Sequence, residues 1–164
     1  MQHPSTYRNR RVVVLGLARS GVSVAKVFHA LGAETIASDV KPPEQCPEAA
    51  ELTALGISVL CGGHPEGLVT PDTALVVKNP GIPYSSPPVR EALELGIEIV
   101  TEVEVAWWLT DAPIIGITGS NGKTTTTTLI GRLLEAAGRK AIVAGNIGRP
   151  LTDAAREAGA DSWL

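Results

Sequence analysis

The chain has 164 residues, a formal net charge of −3, and 44% hydrophobic against 19% charged residues. This is the composition of a globular protein with enough apolar material for a core, at a length of one domain or a little more. The acidic balance argues against bulk binding to nucleic acid, which needs a basic face, so any phosphate recognition must come from a local site.

The first eleven residues end in the basic run Arg8-Asn9-Arg10-Arg11. The apolar stretch behind them is too short and too glycine-flanked for a secretion signal. Arg11–Leu17 instead predicts a buried strand. Val22, Ala25, Phe28 and Leu31 then recur at helical spacing, so Ser20–Leu31 predicts a helix stopped by Gly32. Glu34–Asp39 predicts a second strand, and Pro42-Pro43 breaks the chain. A helix is expected over Glu48–Leu55, a strand over Ile57–Leu60 and a loop over Cys61–Pro65. Ala74–Val77 predicts the fourth strand, followed by the turn Asn79-Pro80-Gly81-Ile82-Pro83. A helix over Pro88–Leu95 and a strand over Glu98–Val100 complete the run.

Thr101–Leu109 reads as a connecting helix, and after Pro113 the pattern restarts. Ile114–Thr118 predicts a strand entering a glycine loop, Lys123–Ala137 a helix and Lys140–Ala144 another strand. The turn Asn146–Pro150 leads to a further helix, and Ser162–Leu164 begins a strand. Strands alternating with helices at this spacing predict an α/β fold with a parallel sheet and crossover helices. Ligands of such sheets sit at the carboxyl ends of the strands, so Gly16–Ser20, Asp39 and Asn79–Gly81 should share one rim. No apolar run reaches the roughly 18 residues of a membrane span.

The glycine loop carries the strongest chemical signal. Thr118-Gly119-Ser120-Asn121-Gly122-Lys123-Thr124 lacks the first glycine of the common phosphate-loop pattern, because Ile117 stands there. It nevertheless lies between a predicted strand and a predicted helix, where backbone N–H groups face an anion. Lys123 would reach the terminal phosphates of ATP, and the Thr124 hydroxyl would bind magnesium. Thr124 to Thr128 form a run of five threonines. β-branched residues are mediocre helix formers, so hydroxyls at this helix start suggest service to phosphate and metal, with Thr125 and Thr126 joining the cofactor set. The alternative is a plain glycine turn with a solvated Lys123.

The first loop, Gly16-Leu17-Ala18-Arg19-Ser20-Gly21, approaches the dinucleotide fingerprint. Ala18, however, replaces the glycine that lets backbone approach a pyrophosphate. Two readings weigh equally on the residues alone. One is a nucleotide diphosphate near Ser20 with a uridine or ribose near Asp39. The other is a tight turn with a solvated Asp39.

Four segments together resemble the Mur ligase family, closest to its D-glutamate-adding branch: the Gly16–Gly21 loop, Lys78-Asn79-Pro80-Gly81-Ile82-Pro83, Gly116–Thr125 and Gly145-Asn146-Ile147-Gly148. The resemblance covers essentially the whole chain. It implies a Rossmann-like substrate-binding domain over residues 1–100, followed by the start of a P-loop ATPase domain over residues 101–164. It also implies an ATP-dependent amide ligase with an acyl-phosphate intermediate, using UDP-N-acetylmuramoyl-L-alanine and D-glutamate. Carried over residue by residue, Gly119, Ser120, Asn121, Gly122, Lys123, Thr124, Thr125 and Thr126 hold ATP, with Thr124 on Mg2+. Ser20, Asp39 and Gly81 line the UDP end, and Lys41 takes the uracil side where some members have arginine. Asn146 contacts the substrate near the catalytic centre and joins Lys123 in catalysis. Arg19 is placed near the diphosphate without a firm counterpart.

Family members are far longer, so the chain is expected to be an N-terminal fragment, inactive alone. A cytoplasmic monomer with reduced Cys46 and Cys61 is expected. The competing readings are a folylpolyglutamate synthase-like ligase, which shares the ATP loop, and an NAD-type dinucleotide module. His64 reads as a loop histidine. Trp107 and Trp108 are expected in a core or a domain interface, and Glu102 and Glu104 as acids favouring a helix dipole.

Overall fold

The computed structural model describes residues 2–145 and 148–164. The chain divides into two compact units, Met1–Val105 and Ala106–Leu164.

The first unit is built on five strands: β1 (Arg11–Leu15), β2 (Glu34–Asp39), β3 (Ser58–Cys61), β4 (Thr73–Lys78) and β5 (Ile99–Val100). They form one sheet in the order β3-β2-β1-β4-β5, and every pairing is parallel. The central strand β1 pairs Val13 with Ile36 on one side and with Val76 on the other. A parallel strand covered on both faces reads as a continuous apolar run, and Val12 to Leu15 are all buried. Each such side chain contributes on the order of 1.5–3 kcal/mol of burial.

The two faces can be told apart by side-chain alternation. Val13 and Leu15 share a cluster with Val76, Val89 and Ala92. The last two belong to α3 (Pro87–Glu94). On the other face, Val14 Cγ1 lies 3.8 Å from where a Cβ on Gly21 would stand, in α1 (Arg19–Ala30). Helix α1 buries Val24, Ala25, Val27 and Phe28. Phe28 meets Tyr7 edge-on, with ring centroids 5.7 Å apart. Tyr7 closes a 3₁₀ turn over Pro4–Tyr7 that the basic character of the N-terminus does not reveal. Helix α2 (Glu48–Ala54) packs beside β3 and buries Leu52.

Helix α4 (Glu102–Trp107) follows β5. Its two early acids do different things. The Glu104 carboxylate accepts from the Thr101 N–H at 2.6 Å, the acid half of a capping box, and from the Thr101 hydroxyl, whereas Glu102 is buried. Trp107 and Trp108 are 61% and 43% exposed, so of the expected core or domain-interface position the core alternative fails for both.

The second unit contains α5 (Lys123–Ala136), β6 (Lys140–Ala141), α6 (Leu151–Glu157) and β7 (Ser162–Trp163). Strands β6 and β7 pair in parallel, and Ile142 N–H extends the ladder to the Trp163 carbonyl at 2.7 Å. The expected strand over Ile114–Thr118 is not formed as one. Ile115 N–H donates to the Leu164 carbonyl and Leu164 N–H to the Pro113 carbonyl. Helix α5 sits so close to the segment after β6 that a Cβ on Gly131 would come within 2.6 Å of Val143 Cγ2.

Candidate functional site

In the first unit, parallel strands bring the carboxyl ends of β1, β2 and β4 to one edge. Three loops from that edge are bound to each other through backbone. Leu15 turns into Gly16, whose φ of +92° is one that glycine adopts without strain. Gly16 N–H donates to the Ser38 carbonyl at 2.8 Å, and Asn79 N–H donates to the Leu15 carbonyl at 3.0 Å. A Cβ on Gly16 would stand 3.1 Å from Asn79 Cβ. On the far side of the loop, a Cβ on Gly21 would fall 1.9 Å from the Gly16 carbonyl oxygen. The glycines at both ends of the first loop are therefore required by packing.

Asp39 is neither solvated nor a free acid. It is buried, and its carboxylate accepts two backbone hydrogen bonds: from Leu17 N–H at 2.6 Å and from Lys41 N–H at 2.9 Å. It clamps the first loop to the end of β2, a role missed by the two readings its sequence position allowed. Ser20 stands in the first turn of α1, half-buried, while Ala18 and Arg19 are exposed. Ala18 is the N-cap and makes no side-chain cap, so the first-turn N–H groups are not filled by it. Lys41 is exposed beside this clamp.

The turn after β4 is held from within. Asn79 Oδ1 accepts from Gly81 N–H at 3.2 Å. Lys78 is buried, yet its ammonium donates to the Ile82 carbonyl at 2.9 Å and lies 4.8 Å from the centre of the Tyr84 ring. Sequence reading quoted Lys78 at the head of the Lys78–Pro83 segment but gave it no role. Its other signal was a lysine closing the apolar strand Ala74-Leu75-Val76-Val77. His64 is also less bland than expected: its Nδ1 lies 2.8 Å from the Ser38 hydroxyl, and burial lowers its pKa below the ordinary 6.5, against the opposing pull of Asp39.

In the second unit, Gly119 (φ +145°) and Gly122 (φ +78°) give the loop backbone angles reserved for glycine. Gly122 is the N-cap of α5, and its carbonyl accepts from Thr126 N–H at 2.9 Å. Ser120, Asn121, Lys123, Thr124, Thr125 and Thr126 are all exposed. The Lys123 ammonium folds back over the loop, onto the Gly119 carbonyl and, at 3.3 Å, the Ser120 carbonyl. The threonine run divides. Thr127 and Thr128 donate their hydroxyls to the carbonyls of Lys123 and Thr124, at 2.8 and 2.9 Å, so these two serve the helix itself. Asn146, also expected at the site, lies outside the described residues. No group of three metal-ligating side chains occurs among the described residues.

The sheet order and the loop at the end of β1 define a Rossmann-like α/β unit, followed in the same chain by a glycine loop that opens a helix. The family described as Mur ligase MurD-like, N-terminal domain, matches residues 10–101, and the Mur ligase middle domain matches residues 117–160. The chain belongs to the Mur ligase family.

Two relatives carry the name UDP-N-acetylmuramoylalanine–D-glutamate ligase. One, from Geobacillus sp. (strain WCH70), is 51% identical over 164 residues, covering 100% of this chain and 36% of that protein. The other, from Enterococcus faecalis (strain ATCC 700802 / V583), is 53% identical over 166 residues, again 100% and 36%. The chain thus spans about a third of the length of these relatives. Among solved structures, a pseudomurein peptide ligase type C from Methanothermus fervidus matches with a TM-score of 0.53 at 24% identity, covering 94% of this chain and 32% of that one. The UDP-N-acetylmuramate-alanine ligase MurC from Thermotoga maritima matches with a TM-score of 0.52 at 21% identity, covering 80% and 30%. These structural likenesses bear on the fold.

Proposed function

We propose that this chain supplies the substrate-binding domain (residues 1–100) and the opening of the ATP-binding domain (residues 101–164) of an ATP-dependent amide ligase. The enzyme would join D-glutamate to UDP-N-acetylmuramoyl-L-alanine in peptidoglycan synthesis, in the cytoplasm. The observation that carries the reading is that both loops lie in one chain, in this order, in a sequence 51–53% identical throughout to ligases of that name.

The rim of the first unit suits the UDP end. The uncapped first turn of α1, with Ser20 in it, offers N–H donors to a diphosphate. Asp39 holds the Leu17 and Lys41 backbones in place, Lys41 stands exposed for the uracil side, and Gly81 leaves the turn after β4 bare of a side chain. The phosphate loop suits ATP: its glycines free the backbone, and Lys123 carries a cation. The exposed Thr124 hydroxyl stands at the second helical position, where it would ligate Mg2+.

ATP supplies the phosphoryl group that activates the substrate carboxylate as an acyl phosphate, which the amine of D-glutamate then attacks with release of phosphate. Lys123 would leave the Gly119 and Ser120 carbonyls for the phosphates and neutralise their developing charge. The family resemblance gives Asn146 a contact with the substrate.

Calorimetric titration of the chain with UDP-N-acetylmuramoyl-L-alanine and with NAD tests the rim. The uridine nucleotide should bind more tightly, and tighter NAD binding would overturn the reading in favour of a dinucleotide module. In the longer enzyme, Lys123→Ala should cut phosphate release by on the order of a hundredfold or more with the fold retained. Near-normal turnover would remove the phosphate-loop assignment.

A further inference from the structure

Lys78 ends β4 at the carboxyl edge of the sheet, and it is 4% exposed. It pairs in register with Leu15 on β1 and lies two residues past Val76, so it shares their face, the one covered by α3. A methionine or leucine there would continue the apolar strand. Withdrawing an ammonium from water is costly unless its donors are met, so the lysine needs a reason beyond packing.

The reason lies in the turn that follows. The Lys78 ammonium donates to the Ile82 carbonyl at 2.9 Å and lies 3.5 Å from the Asn79 carbonyl. These two carbonyls stand on either side of Pro80-Gly81. The third electron-rich group around the ammonium is the Tyr84 ring, its centre 4.8 Å away. Backbone alone closes the turn once, by Ile82 N–H to the Asn79 carbonyl at 2.9 Å. The ammonium adds a second closure, and a charged one.

The same turn is a wall of the rim. Asn79 N–H is held by the Leu15 carbonyl at 3.0 Å. A Cβ on Gly16 would stand 3.1 Å from Asn79 Cβ and 3.4 Å from Ile82 Cδ1. The residues that Lys78 ties together are thus the ones packed against the first loop. Gly81 sits between them, exposed.

We propose that Lys78 is a positioning residue for the nucleotide rim. Its buried ammonium fixes the Asn79–Pro83 turn so that Gly81, bare of a side chain, abuts the uridine end of the substrate. This rests on the function proposed above. Lys78 acts through Gly81 and need not touch the ligand. The protein itself leaves room at Gly81: a Cβ there would meet Asn79 Oδ1 at 3.7 Å, an ordinary contact, and its φ is not left-handed. Gly81→Ala therefore disturbs the ligand and not the fold.

Calorimetry with UDP-N-acetylmuramoyl-L-alanine on the parent chain, Lys78→Met, Gly81→Ala and the double variant tests this. Methionine keeps the length and apolar stem of lysine and removes the charge. Each single variant should bind several-fold more weakly. The double variant should bind about as weakly as Gly81→Ala alone, because residues acting as one unit are not additive. Losses that multiply, as for a lysine that only stabilises the fold, would overturn the positioning role, and so would unchanged affinity in Lys78→Met. Amide exchange at Gly81 and Ile82, followed by NMR without ligand, reads the turn directly. It should be several-fold faster in Lys78→Met, with the amides of β1 and β2 unchanged. Unchanged exchange at the turn would overturn the second closure. If Lys78→Met does not fold, Tyr84→Leu takes its place in both measurements, since Tyr84 is 59% exposed and its ring meets the ammonium. If the parent chain binds no uridine nucleotide, the rim assignment falls, and the exchange rates still decide whether Lys78 holds the turn.

Discussion

Asp39 carries two backbone amides on one buried carboxylate, one on each oxygen. An asparagine keeps one acceptor oxygen and turns an amide donor toward the second N–H. Asp39→Asn should therefore leave either Leu17 or Lys41 N–H unpaired. A lost buried hydrogen bond of this kind costs about 1–3 kcal/mol, read as a lower urea midpoint for the transition of the first unit. The variant should also bind the uridine nucleotide more weakly, because the first loop would no longer be tied to β2. Unchanged stability would mean that the carboxylate is not the clamp. The place of Asp39 at a strand end was legible in the sequence; the direction of its oxygens was not. That direction depends on Leu17 arriving from another strand, 22 positions away. His64 was obscure for the same reason, since its partner Ser38 reaches it only through the fold.

Elements follow local chemistry closely where glycines and caps are concerned. The Glu104 carboxylate takes the Thr101 N–H at the start of α4, and the left-handed Gly122 opens α5. The start of α1 is different, because it has no side-chain cap and depends on the close approach of Gly21 to the Gly16 carbonyl. Gly21→Ala should push the first turn of α1 away from β1. Both colliding partners are backbone, so no flexible side chain can give way, and overpacking of this kind costs about 3 kcal/mol. Chemical denaturation should show it as a fall in the stability of the first unit, together with loss of nucleotide binding. A variant as stable as the parent would show that the loop has room the geometry denies. The strand expected over Ile114–Thr118 shows the limit of local reading: its composition suits a strand, but a ladder needs a partner running alongside, and composition does not supply one.

At the scale of the molecule, stability is unevenly shared. The first unit holds a five-stranded sheet whose central strand is buried from Val12 to Leu15, whereas β6 and β7 have two residues each. Helix α5 leaves Leu129 53% and Leu133 68% exposed. Local opening is governed by buried apolar contact and by the number of protected backbone bonds. Native-state hydrogen exchange should therefore find the slowest amides in β1, β2 and β4, and much faster exchange throughout 106–164. Equal protection in the two units would contradict this account. Among the described residues, no helix is long and apolar enough to cross a membrane.

The sequence by itself determined the α/β alternation, the two glycine loops and the family they point to. Each of these is written in short-range features: a valine run that only a buried parallel strand can use, glycines where φ turns positive, and lysine and threonine at a helix start. Only the tertiary structure decided what the long-range partners do. It turned Asp39 inward onto the Leu17 amide and set His64 beside the Ser38 hydroxyl. The physical reason is that hydrogen bonds act over about 3 Å, a distance that depends on which strands the topology makes neighbours. The order β3-β2-β1-β4-β5 settles that neighbourhood, and no local stretch of residues encodes it.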